Sequence, residues 1–98
     1  MKVAKKKDVV EETPFCAVFE EKSIALFNVG GTYYAIDNTC THMGGPLCHG
    51  TLRGDVVQCP WHGSRFDVKS GKVVRGPAEK PVKQYKVQVD GEDIEVTE

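Results

Sequence analysis

Apolar and polar residues alternate in short runs along most of the chain, and turn-forming residues separate the runs. No stretch carries an apolar stripe with helical spacing over three turns, so no long amphipathic helix is expected. The pattern predicts an all-β domain. The predicted strands are Phe15–Glu20, Ser23–Asn28, Tyr33–Asp37, Val56–Gln58, Ser64–Asp67, Val82–Val89 and Ile94–Thr97.

Two short turns are predicted to close hairpins between neighbouring strands. They are Val29-Gly30-Gly31-Thr32 and Val89-Asp90-Gly91-Glu92, since Gly-Gly and Asp-Gly accept the positive φ of tight turns. Every second residue from Tyr85 to Val89 is apolar, which predicts that this face of the last long strand points to the core. Ile24 and Leu26 offer a matching inward pair.

The alternation stops between Asp37 and Arg53, where Cys, His, Gly, Pro and Thr dominate. A loop of this length in a compact domain is either disordered or functional, and cysteines beside histidines favour function. The segment Val68–Pro81 is also predicted to be mostly loop, with a turn at Ser70-Gly71.

Length and charge narrow the possible classes of protein. The chain has 98 residues, which predicts a single domain over residues 1–98. Its 13 basic and 14 acidic residues give a net charge of -1, so no nucleic-acid partner is expected. The run Lys5-Lys6-Lys7 is followed by acidic residues and is interpreted as a solvated terminus. No apolar leader or membrane span is recognised, and we expect a cytoplasmic protein, although a processed precursor would look the same.

Two short motifs each combine a thiol and an imidazole. Cys40-Thr41-His42 and Cys59-Pro60-Trp61-His62 are separated by sixteen residues. Without a signal peptide, four cysteines favour metal or redox chemistry over two disulfides. Such a donor set could bind one zinc ion. The interleaved order suits two metals equally well, because each loop then supplies one ligand to each metal.

At these residues the sequence resembles the Rieske iron-sulfur family, whose pattern is Cys-x-His, a loop, then Cys-x-x-His-Gly. The likeness runs from about Ile24 to the C-terminus, and it is closest to bacterial and archaeal Rieske ferredoxins. The fragments that carry it beyond the ligands are Gly44-Gly45-Pro46-Leu47, Leu52-Arg53-Gly54-Asp55, Ser64-Arg65-Phe66-Asp67, Ser70-Gly71-Lys72 and Gly76-Pro77-Ala78. The last of these looks like the proline loop that covers the cluster.

The resemblance implies an antiparallel β sandwich or barrel, with a cluster-binding subdomain of about residues 38–76 formed by two loops. It implies one 2Fe-2S cluster, with Cys40 and Cys59 binding one iron and His42 and His62 the other. Two ferric ions carry six positive charges, which two sulfides and two thiolates balance, so the oxidised site is neutral. An added electron should raise the proton affinity of the two histidines and couple the potential to pH.

High-potential members of the family carry a further disulfide between the two loops, and here those positions are Gly45 and Trp61. They also place a tyrosine two residues after a loop serine. Ser64 occupies the serine position and is expected to be a cofactor-binding residue, but Phe66 occupies the position of the tyrosine. Without the disulfide and the tyrosine hydroxyl, fewer groups stabilise the more negative, reduced cluster. This predicts a reduction potential in the lower half of the roughly -150 to +300 mV span of Rieske centres.

Five residues near the motifs have two interpretations each. Cys16 is expected to be a packed residue or a surface thiol, and Cys48 a reduced bystander rather than a redox-active thiol. His49 is expected to be an exposed loop histidine rather than a ligand or proton carrier. Trp61 is a hydrophobic lid over the sulfides or a core tryptophan. Met43 is part of a docking face or a stray surface residue.

The resemblance implies an electron carrier and not an enzyme, since no nucleophile with a base partner and no phosphate loop is found. Its expected partners are an NAD(P)H-dependent flavoprotein reductase and an oxygenase that dock near His42 and His62, with a monomeric carrier and no nucleic acid or membrane. Met43, Gly44, Gly63 and Pro77 would complete the patch. The alternatives are a small subunit of a nitrite reductase-like enzyme and a structural zinc domain.

Overall fold

The protein is described from a computed structural model that covers residues 1–98. It consists of strands joined by turns, with two short 3-10 helices, Lys6–Asp8 and Leu47–His49. The strands are β1 (Lys2–Lys5), β2 (Phe15–Phe19), β3 (Lys22–Val29), β4 (Thr32–Asp37), β5 (Thr51–Arg53), β6 (Val56–Gln58), β7 (Arg65–Asp67), β8 (Val73–Arg75), β9 (Gln84–Asp90) and β10 (Asp93–Thr97). The all-β prediction is confirmed.

All seven predicted strands are present, and three further strands were not predicted. Two of these, β5 and β8, have three residues each and lie in the two segments that were predicted to be mostly loop. The third, β1, lies in the segment interpreted as a solvated terminus. Its lysine side chains are indeed exposed, but its backbone pairs with β10, and Lys2 and Lys5 both bind Asp93 at 3.1 Å.

The strands form two antiparallel sheets. The larger sheet has the order β1-β10-β9-β4-β3-β2, and its edge strands β1 and β2 contact each other, so the sheet is close to a closed barrel. The smaller sheet has the order β5-β6-β7-β8 and is inserted in the sequence between β4 and β9. No helix in the structure combines the length and the apolarity that a membrane crossing requires.

Both predicted hairpins are confirmed. Val29 pairs with Thr32 across Gly30 and Gly31. Their φ angles of 61° and 89° are positive, and glycine adopts such angles without steric cost because it has no Cβ atom. Asp90 pairs with Asp93 around the second turn. These turns set the register of the larger sheet, because the turn length determines which residues lie opposite each other.

Strand β3 is buried on both faces and separates two apolar cores. Ile24 and Leu26 point into the barrel, as predicted, where they share a core with Tyr85. Ala25 and Phe27 point the other way, into a second core between the two sheets. The prediction for Val89 is wrong: its side chain is 41% exposed, because the end of β9 extends past the core.

Asn38 connects the end of β4 to the long loop that follows. Its backbone and side-chain amides donate to the carbonyl (3.1 Å) and the hydroxyl (2.9 Å) of Ser23. Its carbonyl accepts from the Leu47 N–H at 2.7 Å, and its side-chain oxygen accepts from the Cys48 N–H at 2.6 Å. One buried asparagine therefore holds both ends of the segment 39–46, so this loop is ordered and not a flexible linker.

Candidate metal centre

Two loops bring the predicted ligand residues together. In the first, the Gly44 N–H donates to the Cys40 carbonyl and the Cys40 N–H to the Gly45 carbonyl, both at 2.9 Å. In the second, the Cys59 N–H donates to the Ser64 carbonyl at 2.7 Å. These bonds close each loop into a tight turn that contains both its cysteine and its histidine.

His62 lies at the tip of the second loop with an unusual backbone conformation. Its φ is 66°, in the left-handed region that few residues other than glycine adopt. Gly63 follows with a φ of 77°. A non-glycine residue in this region is held there by its surroundings, and such residues concentrate at functional sites. The reversed backbone turns the chain back after His62, so that the imidazole is exposed while Cys59 remains inside.

The four donors divide into a buried pair and an exposed pair. Cys40 is 2% exposed and Cys59 is 1% exposed, whereas His42 and His62 face solvent. The two imidazole rings lie 5.2 Å apart between centroids, with their planes at 82°. Two imidazoles that bind one tetrahedral metal at the usual nitrogen-metal distance have their centroids about 5 Å apart. The histidine pair therefore fits a shared metal ion.

Burial raises the pKa of the Cys59 thiol, because a thiolate inside the protein loses its hydration. The backbone N–H of Trp61 points at the Cys59 sulfur from 3.4 Å and opposes this rise, while the neighbouring Cys40 side chain adds to it. Two adjacent buried thiols are unfavourable as free thiolates. A cation between them would remove that penalty, and the N–H group is already directed at the sulfur it would bind.

Gly45 and Trp61 close the site from one side. A Cβ atom at Gly45 would lie 2.6 Å from the Cys59 sulfur and 3.1 Å from the Trp61 ring. The backbone of the first loop thus contacts the second loop directly, which only glycine permits. Trp61 is 49% exposed, so its interpretation as a core residue is wrong, and it lies at the surface against Gly45 as a lid would.

A third segment, Gly76–Lys80, is fastened to both loops. The Ala78 N–H donates to the Ser64 hydroxyl at 2.9 Å, and the Thr41 hydroxyl donates to the Lys80 carbonyl at 2.6 Å. Ser64 is fully buried, and because its oxygen is the acceptor here, its own hydrogen is left to donate elsewhere. Ser64 therefore positions the third segment, a role that the sequence did not indicate.

The remaining two cysteines are joined to each other. Cys16 and Cys48 form a disulfide with a sulfur-sulfur distance of 2.01 Å and a Cα separation of 5.0 Å. The expectations of a packed or surface thiol at Cys16 and a reduced bystander at Cys48 are both wrong. The Leu47–His49 helix packs against β2, and this contact brings together cysteines that are 32 residues apart. His49 is exposed, as predicted, and its Nε2 lies 3.6 Å from the Cys16 sulfur.

Comparison with known proteins gives one consistent family. The model of the protein family described as "Rieske [2Fe-2S] domain" matches residues 1–86 of this chain. The chain is 46% identical over 72 residues to the 3-phenylpropionate/cinnamic acid dioxygenase ferredoxin subunit of Shigella boydii, covering 72% of this chain and 68% of that protein.

Two solved structures resemble the whole chain. A ferredoxin of Sphingomonas yanoikuyae B1 is 27% identical, with a TM-score of 0.95 over 100% of this chain and 97% of that one. A chain of the complex of reduced oxygenase and oxidised ferredoxin in carbazole 1,9a-dioxygenase is 33% identical, with a TM-score of 0.92 over 99% and 100%.

Proposed function

Because the chain belongs to the Rieske 2Fe-2S domain family and carries one such cluster, we propose that it transfers single electrons from an NAD(P)H-dependent flavoprotein reductase to an oxygenase. The observation that carries this proposal is the exposed pair of histidine rings, 5.2 Å apart, on the same two loops as two buried cysteines. Support also comes from the Shigella boydii relative, named as a dioxygenase ferredoxin subunit, and from the likeness to a chain of an oxygenase-ferredoxin complex.

The four residues of the two loops are proposed as the ligands. Cys40 and Cys59 would hold one iron and His42 and His62 the other. When bound, the cluster accepts and releases one electron at a time. The burial of the cysteines and the exposure of the histidines support this assignment, because an iron held by exposed imidazoles would lie closer to a partner and shorten the path of the electron between proteins.

Backbone and hydroxyl groups of this chain are positioned to tune the site. The Trp61 N–H is directed at the Cys59 sulfur at 3.4 Å, and the Ser64 hydroxyl has a hydrogen free to donate. Hydrogen bonds of this kind stabilise the more negative, reduced state. Phe66 is buried but has no hydroxyl, so one donor of the high-potential members is missing. We expect a midpoint potential in the lower half of roughly -150 to +300 mV, which a redox titration measures.

The docking surface is proposed to surround the two histidines. Met43 is 58% exposed and Trp61 is 49% exposed, and both are next to ligand residues in the sequence. Gly44 and Pro77 are exposed as well. A contact surface of a few exposed apolar residues around a redox centre is suited to short-lived complexes, which a carrier needs in order to meet a donor and an acceptor in turn.

The proposal includes the organisation of the chain. Residues 1–98 are one domain, and the segment of about 38–76, which contains the smaller sheet and both loops, is its cluster-binding subdomain. The chain acts as a monomeric carrier in the cytoplasm and has no catalytic residues of its own.

The decisive experiment has a spectroscopic and a functional part. The purified protein, reduced with dithionite, should give an electron paramagnetic resonance signal with a lower average g-value than an all-thiolate 2Fe-2S cluster, because imidazoles replace two thiolates. In the functional part, a flavoprotein reductase with NADH, this protein and a ring-hydroxylating oxygenase are mixed, and product formation should require all three proteins.

Two controls make the result specific. A His62→Ala variant should fail in the mixture, whereas His49→Ala, an equally exposed histidine, should support turnover. Zinc without iron or acid-labile sulfide in anaerobically prepared protein would refute the electron-carrier proposal. Co-purification with a nitrite reductase-like enzyme, and electron transfer to that enzyme alone, would instead support the small-subunit alternative.

A further inference from the structure

We propose that Cys16 and Cys48 form a reversible thiol-disulfide exchange site, separate from the cluster site, whose reaction partners are dithiol reductants. The bond joins β2, at the edge of the larger sheet, to the Leu47–His49 helix, which lies between the first ligand loop and β5. It therefore crosses from the barrel to the part of the chain that holds the ligand loops.

The two sulfurs are unequally accessible. Cys16 is exposed on β2, where it lies between two inward-pointing neighbours at Phe15 and Ala17, whereas Cys48 is only 6% exposed and belongs to the core between the sheets. A thiolate attacks a disulfide along the line of the bond, at a sulfur it can reach. The exposed Cys16 sulfur is thus the point of attack, and the Cys48 sulfur is the leaving group.

His49 provides a polar group at this bond. Its Nε2 lies 3.6 Å from the Cys16 sulfur, and the donor atoms of Cys16, Cys48 and His49 all lie within 4.8 Å of one another. A disulfide sulfur has no hydrogen, so in this contact the imidazole N–H is the donor. An N–H directed at the Cys16 sulfur makes that sulfur more electrophilic toward the attacking thiolate, and it stabilises Cys16 as the thiolate released in the second step.

The reaction is a two-electron exchange. One thiolate of the reductant bonds to the Cys16 sulfur, the Cys16–Cys48 bond breaks, and its electron pair leaves on Cys48. The second thiolate of the reductant then attacks the reductant sulfur that is bonded to Cys16, and Cys16 is released as a thiolate. The reductant ends as a disulfide, and its two protons end on Cys16 and Cys48. A small disulfide reverses the process by the same steps.

Hydrogen bonds that do not involve the disulfide keep the two cysteines close after reduction. Asn38 accepts hydrogen bonds from the N–H groups of Leu47 and Cys48, and the Leu47 side chain is fully buried. On the other side, β2 is paired with β3 along its length. Both thiols therefore stay near each other in the reduced protein, which favours re-formation of the bond. The ligand cysteines Cys40 and Cys59 belong to the two loops and take no part.

The test counts thiols in the cluster-loaded full chain. Samples are treated anaerobically with dithiothreitol, quenched in acid, denatured, labelled with a maleimide and weighed by mass spectrometry. We expect two labels before treatment, on Cys40 and Cys59 released from the cluster, and four afterwards. Oxidised glutathione should return the count to two, and the iron and acid-labile sulfide content per chain should not change throughout.

Two variants sharpen the test. Cys16→Ser/Cys48→Ala should show two labels before and after treatment. His49→Gln should still form the disulfide but react with dithiothreitol about tenfold more slowly, as expected for loss of one charge-assisted hydrogen bond. Four labels without reductant, two labels after prolonged treatment, or loss of iron and sulfide in step with reduction of the disulfide would each overturn the proposal.

Discussion

The protein contains two sulfur sites built from the same residue types, and they differ in what surrounds the sulfur atoms. At the two loops of the proposed cluster site, two thiols are buried and two histidines are exposed, and the Trp61 N–H is directed at one sulfur. At the β2 site, Cys16 and Cys48 are bonded directly, with one histidine beside them. The first arrangement leaves the sulfurs free to bind a metal, and the second consumes them in a covalent bond.

The difference lies in how each cysteine is presented. Cys40 and Cys59 are each in a closed turn whose histidine follows two or three residues later. Cys16 is in the middle of a strand, and Cys48 is in a 3-10 helix that packs onto that strand. A loop can surround a cofactor with donors, whereas two packed elements place side chains in direct contact. The local backbone, more than the residue type, therefore separates cofactor binding from cross-linking.

The largest expected effect distinguishes the histidines of the two sites. His62→Ala removes one of two imidazoles proposed to share an iron, so we expect loss of the cluster and of its visible absorption. Iron and acid-labile sulfide per chain are the measurements. His49→Ala is the matched control and should retain both, since its imidazole lies 3.6 Å from a disulfide sulfur and not at the loops. Equal iron contents in the two variants would contradict the ligand assignment.

Removal of the disulfide is expected to lower stability and leave the cluster unaffected. The bond closes a loop over a sequence separation of 32, for which chain entropy predicts a loss of about 3–4 kcal/mol in the free energy of unfolding. Denaturant titration of Cys16→Ser/Cys48→Ala under oxidising conditions measures this. The wild-type protein with dithiothreitol is the matched sample and should be destabilised similarly. Loss of iron in the double variant would show that the two sites are not independent.

Gly45→Ala tests the close contact between the ligand loops. The new Cβ would lie 2.6 Å from the Cys59 sulfur, so one loop has to move. We expect destabilisation by about 1–3 kcal/mol, typical of overpacking, together with reduced iron content. Gly54→Ala is the control: its Cβ meets nothing within 4 Å, although its φ of 62° disfavours alanine. It should lose some stability and no iron, and a similar iron loss in both variants would argue against the contact.

The smallest effect is expected for Ser64→Ala. The variant leaves the buried Ala78 N–H without its acceptor and removes one hydroxyl donor, so we expect a loss of about 1–2 kcal/mol in stability. The midpoint potential should fall by about 60 mV, the one-electron equivalent of a tenfold change in equilibrium. Ser70→Ala is the control: Ser70 is half-buried and its oxygen accepts a 3.3 Å hydrogen bond from the Lys72 N–H, so the variant should lose less stability than Ser64→Ala and leave the potential unchanged. An unchanged potential in Ser64→Ala would restrict Ser64 to positioning the Gly76–Lys80 segment.

Much of this fold could be predicted because strand periodicity and turn residues are local signals. β3, with its Gly30-Gly31 turn, and the hairpin before Asp93 follow from the pattern alone. The strands β5 and β8 were not predicted because they lie in segments whose composition indicated loops, and β1 was obscured by its lysines, whose exposed side chains conceal a paired backbone. The role of Asn38 in holding the loop was not predicted, because no sequence pattern shows which groups an asparagine at the end of a strand will contact through its four hydrogen bonds.

The sequence by itself supplied the four proposed ligands, because the spacing of a thiol and an imidazole within one turn of chain is a property of neighbouring residues. It also determined the all-β class, through the alternation that a half-buried strand requires. Only the tertiary structure decided the partners of Cys16, Cys48 and Ser64. A disulfide needs two Cα atoms about 5–6 Å apart, and that distance depends on how distant elements pack, which no local pattern records.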